Sequence, residues 1–137
     1  MILADTSAWI EFDRATGSAV HLRLRKLILD RGELAVTEPV IAEVAIGART
    51  DDREVSLRRM LGWCELLPFD PVADFDGAVK IYRQCRQAGI TPRGQLDCMI
   101  VSVALRHRAA VLAHDADLVR IATVVPLQLD PASPVAR

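Results

Sequence analysis

Four carboxylates stand in this chain where an acid has little structural reason to be, each set in strongly apolar sequence. They are Asp5 in MILADTSAWI, Glu43 in PVIAEVAIGA, Asp97 in QLDCMIVSVAL and Asp115 in VLAHDADL, with Asp117 beside the last as a fifth candidate. Carboxylates are rarely buried unless they are paired or hold a metal. Spread along the whole chain, these acids suggest that folding gathers them into one acidic pocket. Two carboxylates about 4 Å apart repel by about 4 kcal/mol at an effective dielectric of roughly 20. Three or four ionised acids in one pocket therefore require protonation or cations. Mg2+ or Mn2+ suits such oxygen donors, and either would lower the pKa of a bound water and position it for in-line attack on phosphorus.

Each acid has a second reading. Asp5, in Asp-Thr-Ser, suits the cap of a helix beginning near Ser7 as well as it suits a site. Glu43 is surrounded by Val40, Ile41, Val44, Ala45 and Ile46, which leave it no polar face; the bland alternative is an exposed Glu on a mostly buried helix. Asp97 shares a helical face with Ile100, Val101 and Ala104, or serves only as a partner of the helix dipole. Asp115 and Asp117 compete for the cap of the last helix. Thr6 and Ser7 bring hydroxyls able to hydrogen-bond a carboxylate or a phosphate. Arg93, in a Gly/Pro loop before Asp97, either reaches a substrate phosphate or stands solvated. His114, beside Asp115, reads as a general base or as a structural strand-end histidine. His21 and His107 lie among surface-type arginines and carry no signal. Trp9, Trp63, Phe12, Phe69, Phe75 and Tyr82 form no stripe suited to base stacking and are expected in the core.

The elements that must position these residues are short. A strand over Met1–Ala4 leads into a helix from about Ser7 to Arg14, and Thr16-Gly17-Ser18 separates it from a second helix reaching about Asp30 and ended by Gly32. Leu34-Ala35-Val36 reads as a buried strand; Thr37 caps a helix opened by Pro39 and running to about Ala48. Asp51 or Asp52 starts a helix to about Trp63, and Glu65-Leu66-Leu67 is a short strand. A long helix from about Val72 to Gln87 ends at Gly89. The loop Ile90–Gly94 precedes a helix from about Gln95 to His107. Ala110–Ala113 is a strand, Asp117–Ala122 a short helix and Val124–Leu127 a final strand. Apolar strands alternating with helices argue an α/β fold, its parallel sheet covered on both faces. Ligands bind such sheets beyond the carboxyl ends of the strands, where Asp5 and Asp115 both fall.

Length and composition agree with one domain over residues 1–130 and a short tail over 131–137. Apolar residues make up 51% and charged residues 26%, and no apolar run approaches the about 20 residues of a membrane span. MILADTSAWI reads as the start of the fold rather than a cleaved signal. Cys64, Cys85 and Cys98 lack ligand spacing and read as free thiols of a cytoplasmic protein. Seventeen basic against eighteen acidic residues give a net charge of −1, so bulk charge does not argue a nucleic-acid partner. Only Lys26 and Lys80 are lysines; the other cations are arginines, through coding bias or for phosphate recognition.

The chain resembles the PIN-domain ribonucleases, and most closely the VapC toxins of bacterial toxin–antitoxin pairs. The resemblance rests on ILADTSAWI, TEPVIAEVAIGAR and GQLDCMIVSVALRHRAAVLAHDADLVRIA in that order, which span nearly the whole chain. It implies a three-layer α/β/α sandwich around a parallel sheet of four to five short strands, and a Mg2+- or Mn2+-dependent endoribonuclease. It further implies a homodimer inhibited by a small VapB-like antitoxin. By position Asp5, Glu43, Asp97 and Asp115 match the acidic quartet, Asp117 a frequent fifth acid, and Ser7 a hydroxyl that steadies the first Asp. Ala113 and Leu118 depart from the Thr or Ser and the Phe common in the family, leaving open whether Asp115 or Asp117 is nearer the metal. Two other readings compete. An aspartyl-phosphate enzyme or receiver-like domain would use Asp5 but needs a lysine at a strand end, and both lysines fall in helices. A catalytically degenerate PIN domain acting as a binding module would not need all four acids.

Overall fold

The computed structural model describes residues 1–134. The chain runs β1 (Ile2–Ala4), α1 (Thr6–Asp13), α2 (Ala19–Leu29), β2 (Leu34–Val36), α3 (Glu38–Ile46), α4 (Asp51–Leu61), β3 (Glu65–Leu66), α5 (Pro71–Gln87), α6 (Gln95–His107), β4 (Ala110–Leu112) and α7 (Ala116–Ile121). The four strands form one parallel sheet in the order β3-β2-β1-β4. Consecutive residues of β1, β2 and β4 are buried, Leu3 with Ala4, Ala35 with Val36, and Val111 with Leu112. Side chains alternate across a strand, so both sheet faces are covered by helices. No helix among the described residues is long and apolar enough to cross a membrane.

Local chemistry explains most boundaries. Ser18, Thr50 and Asp70 accept backbone amides at the starts of α2, α4 and α5. Gly89 takes a φ of +82° after α5, where a Cβ would be strained. After α2 that left-handed position falls on Arg31 rather than on Gly32. Thr37 does occupy the cap of α3, yet its hydroxyl makes no capping bond and is buried without a partner among the described residues. Pro39 at the second helical position has no amide to offer it.

Helices α5 and α6 form an antiparallel pair. Asp74, early in α5, accepts Ser102 Oγ at 2.8 Å and Arg106 Nη2 at 2.8 Å, both late in α6. Gly77 permits the approach, since a Cβ there would lie 2.2 Å from Ser102 Oγ.

Three expectations are corrected. The final strand over Val124–Leu127 does not form: the last turn of α7 continues to Val125, and Pro126 follows without an amide donor. Sheet pairing is reached only at Leu129, in a single bridge to Val111. The tail begins later than residue 131, because Ser133 is buried and its hydroxyl accepts the Ala113 amide at 3.1 Å; residues 135–137 lie outside the described residues. Trp63 and Phe75 are exposed rather than core, whereas Trp9 is buried and packs edge-on against Phe12.

Candidate active site

The strand order places β4 on the far side of β1 from β2 and β3, so the order of strand addition reverses between β1 and β4 while all four strands stay parallel. Clefts open at such switch points, beyond the carboxyl ends of the strands. Asp5 follows β1 directly, and its amide donates to Leu112 O at 2.9 Å. Asp115 lies just past β4. Both readings of Asp5 hold at once. Its Oδ2 caps α1 by accepting Ser7 N at 3.1 Å and Ser7 Oγ at 2.6 Å. Its Oδ1 is buried with no partner among the described residues. Burial pushes the carboxyl up to about 6 despite the Ser7 bonds, with the charges of Glu43 and Asp115 adding to the rise.

Glu43 is half-buried on α3, and its Oε1 accepts Thr6 Oγ1 at 2.7 Å. Asp97 is half-buried in the first turn of α6. Its carboxyl is pushed up to about 7, first by burial and then by the charges of Asp5, Asp115, Asp117 and Glu43. Every expected acid thus acts on Asp97, which the helix dipole alone would have lowered.

Asp115 and Asp117 have different jobs. Asp115 caps α7 through Oδ1, which accepts the Asp117 amide at 2.7 Å and Arg93 Nη2 at 3.0 Å. Asp117 is buried with both oxygens engaged: Oδ2 accepts the Arg93 amide at 2.7 Å and Oδ1 accepts Arg120 Nη2 at 2.8 Å. Burial alone would raise Asp117, but the Arg93 amide and the Arg120 guanidinium outweigh it and hold the carboxyl below its usual range. The Arg93 guanidinium, exposed as a loop arginine should be, turns toward Asp115. His114 faces Glu11, with Nε2 3.4 Å from Oε1, while its amide donates to Ser7 Oγ at 2.9 Å. Sequence reasoning missed Arg120 and Glu11. Arg120 had a signal, three residues beyond Asp117 on a helix; Glu11 and His114 are too distant in sequence to announce their contact.

Among the described residues no three His, Cys, Asp or Glu side chains are arranged as a formed metal-binding set. The donors nevertheless suit a divalent cation: all are hard oxygens, Asp5 keeps an orphaned buried acceptor, and Asp97 is held at a raised pKa by burial and by the neighbouring acids. The lysines do not serve phosphoryl chemistry on Asp5. Lys80 pairs with Asp76 on the surface of α5, and Lys26 is exposed on α2.

A covered parallel sheet with acids at its switch point defines an α/β protein built to handle a charged ligand at one edge. The profile of the PIN domain matches residues 2–124, and the chain belongs to the PIN-domain family. It is 40% identical over 129 residues to ribonuclease VapC11 of Mycobacterium tuberculosis, across 93% of this chain and 96% of that protein. A VapC ribonuclease of Mycobacterium bovis matches with the same figures. Among solved structures, VapBC2 from Rickettsia felis bound to a promoter DNA fragment gives a TM-score of 0.75 at 18% identity, over 95% of this chain and 98% of that one. FitAcB from Neisseria gonorrhoeae gives 0.73 at 20% identity, over 96% and 98%. At those identities the likeness is one of fold.

Proposed function

We propose that this protein is the toxin of a VapBC-type pair, an endoribonuclease that hydrolyses RNA phosphodiester bonds with Mg2+ or Mn2+. The reading is supported by relatives named VapC ribonucleases over nearly the whole chain. The observation that carries it on this chain is the gathering of acids beyond the carboxyl ends of β1 and β4, where burial first, and then the charges of Asp5, Asp115, Asp117 and Glu43, push the Asp97 carboxyl up to about 7. Asp5, Asp97 and Asp115 are the proposed metal ligands. Glu43, fixed by Thr6, completes the catalytic quartet. Asp117, with both oxygens on arginines, braces the loop before α6 rather than binding the ion directly. A bound divalent cation supplies an acidified water and positive charge for the leaving oxygen. The chain's own part is to hold the acids: Ser7 fixes Asp5, Thr6 fixes Glu43, and Arg93 stands where it can pass from Asp115 to a substrate phosphate.

The single PIN domain, which takes in Ser133, works in the cytoplasm, where RNA is found, and pairs with a small VapB-like antitoxin. It associates as a homodimer, in support of which Val72, Phe75 and Val79 present one exposed apolar stripe on α5. The test is cleavage of RNA by purified protein with Mg2+ or Mn2+. Glu43→Gln and Asp97→Asn are expected to abolish cutting while leaving the fold intact, and the ends should be 5′-phosphate and 3′-hydroxyl, the products of attack by water with the 3′ oxygen leaving. Undiminished cleavage by both variants would remove the site assignment.

A further inference from the structure

Two buried oxygens at neighbouring strand ends have no hydrogen-bond partner among the described residues, Asp5 Oδ1 and Thr37 Oγ1. The acid cluster accounts for the first and leaves the second unused. Thr37 is fully buried just past the carboxyl end of β2. It stands at the N-cap of α3, where a threonine hydroxyl ordinarily accepts the amide of the second or third helical residue. Here neither is on offer: Pro39 has no amide, and the Val40 amide goes to the Thr37 carbonyl at 3.0 Å. A buried hydroxyl left unpaired costs stability, and a methyl in its place would not.

The sheet register sets Thr37 against Asp5. Leu3 of β1 pairs in parallel with Ala35 of β2, and two residues further along each strand stand Asp5 and Thr37. Both keep extended backbone, with φ −71° and ψ 161° at Asp5 and φ −127° and ψ 157° at Thr37, so the pleat runs on through them. Residues opposite one another in a pleated pair send their side chains to the same face, on strands about 4.8 Å apart. A second tie holds the two ends together. Thr6, next to Asp5, donates through Oγ1 to Glu43 Oε1 at 2.7 Å, and Glu43 belongs to the helix that Thr37 opens.

The two oxygens are complementary, since a hydroxyl donates and a carboxylate accepts. A water between them would accept from Thr37 and donate to Asp5 Oδ1, giving each its missing bond. Carboxylates that ligate metals are oriented by outer partners of this kind, and Ser7 already holds the other Asp5 oxygen at 2.6 Å. We infer that Thr37 is a positioning residue for the cation site: through one water it fixes Asp5 Oδ1, as Ser7 fixes Oδ2, so that Asp5 meets the ion already oriented. A carboxylate oxygen has two lone pairs, which leaves one on Oδ1 for the ion. This rests on the metal-dependent reading above.

The test is a calorimetric titration of Mn2+ into wild type, Thr37→Val and Thr37→Ser, with urea melts of all three in chelator. Valine keeps the shape of the side chain and removes the hydroxyl; serine keeps the hydroxyl. Thr37→Val should weaken Mn2+ binding by about 10–100-fold, the usual worth of an outer partner of a metal ligand. In chelator it should melt no lower than wild type, because the hydroxyl it loses was unpaired. Thr37→Ser should restore the affinity, and the Mn2+ midpoint for RNA cleavage by Thr37→Val should rise by the same factor as its binding constant. Equal Mn2+ affinity in Thr37→Val and wild type overturns the role of Thr37 and leaves the metal reading standing. A Thr37→Val protein that melts lower in chelator makes the hydroxyl a prop of the fold, and that also overturns the role, as does a Thr37→Ser protein that binds no better than Thr37→Val. No Mn2+ binding by wild type overturns the metal reading and Thr37 together.

Discussion

The Ser7 hydroxyl donates to Asp5 Oδ2 at 2.6 Å and accepts the His114 amide at 2.9 Å, so one side chain joins the ends of β1 and β4. A hydrogen bond to a charged group contributes about 1.5–3 kcal/mol, and the stranded amide adds to the cost of losing it. Ser7→Ala should therefore lower stability by about 2 kcal/mol and slow RNA cleavage by loosening Asp5. Ser56→Ala removes an exposed hydroxyl on α4 and should change neither, surface substitutions of this kind lying within about 0.5 kcal/mol. Urea melts and cleavage rates check both; a Ser7→Ala protein that melts and cuts like wild type removes the positioning role.

Asp97 makes a prediction with a definite sign. The folded chain keeps its proton up to about 7, against a usual 3.8. Folding thus binds that proton more tightly, and the stability it gives is fully present below 3.8 and lost as pH rises through about 7. In chelator, the wild-type midpoint should fall between about pH 5 and about pH 8, while Asp97→Asn responds less. Above neutrality the variant should melt no lower than wild type. Added Mg2+ should raise the wild-type midpoint more than the variant's. Equal responses to Mg2+ would argue strongly that no ion binds beside Asp97.

The acids were legible because a carboxylate amid apolar residues breaks the local pattern, and strand ends set Asp5 and Asp115 at one edge. Their separate tasks were not legible. Asp117 differs from Asp115 through Arg93 and Arg120, and the Arg93 contact crosses 24 residues of chain. The missing last strand turned on Pro126, whose lost amide matters only once the partner strand is known. The Asp74–Arg106 clasp was equally hidden: Asp74 looks like an ordinary first-turn acid, and Gly77 like an ordinary helix weakness. Only the close approach of α6 gives either a purpose.

That clasp supplies the third prediction. Burial alone would raise Asp74, but Arg106, the Asp70 amide and Ser102 hold it below its usual range. A lowered pKa gives stability that is present above 3.8 and lost as pH falls through the folded value. Asp74→Asn leaves the Arg106 guanidinium without its charge partner and should cost about 1.5–3 kcal/mol, less than breaking a fully buried pair because Arg106 is 36% exposed. It should also blunt the loss of stability on acidification. Denaturant melts across the acid range measure both effects, and an unchanged acid limb would refute the assignment.

Self-association is the fourth. Val72, Phe75 and Val79 are 83%, 51% and 56% exposed at spacings of three and four residues, and Phe75 packs edge-on against Phe69, whose ring centroid lies 5.0 Å away. An apolar helical stripe of this kind is costly in water and favours a partner with the same surface, the arrangement of a two-fold dimer. Light scattering should give the mass of two chains for wild type and of one for Val72→Asp with Val79→Asp. Because neither side chain is buried in the monomer, the double variant should keep its monomer fold, at a cost within about 0.5 kcal/mol per exposed site. The acids lie within one chain, so cleavage of a short RNA should persist in the monomeric variant. A wild-type mass of one chain at micromolar concentration would refute the dimer and leave the α5 stripe for the antitoxin.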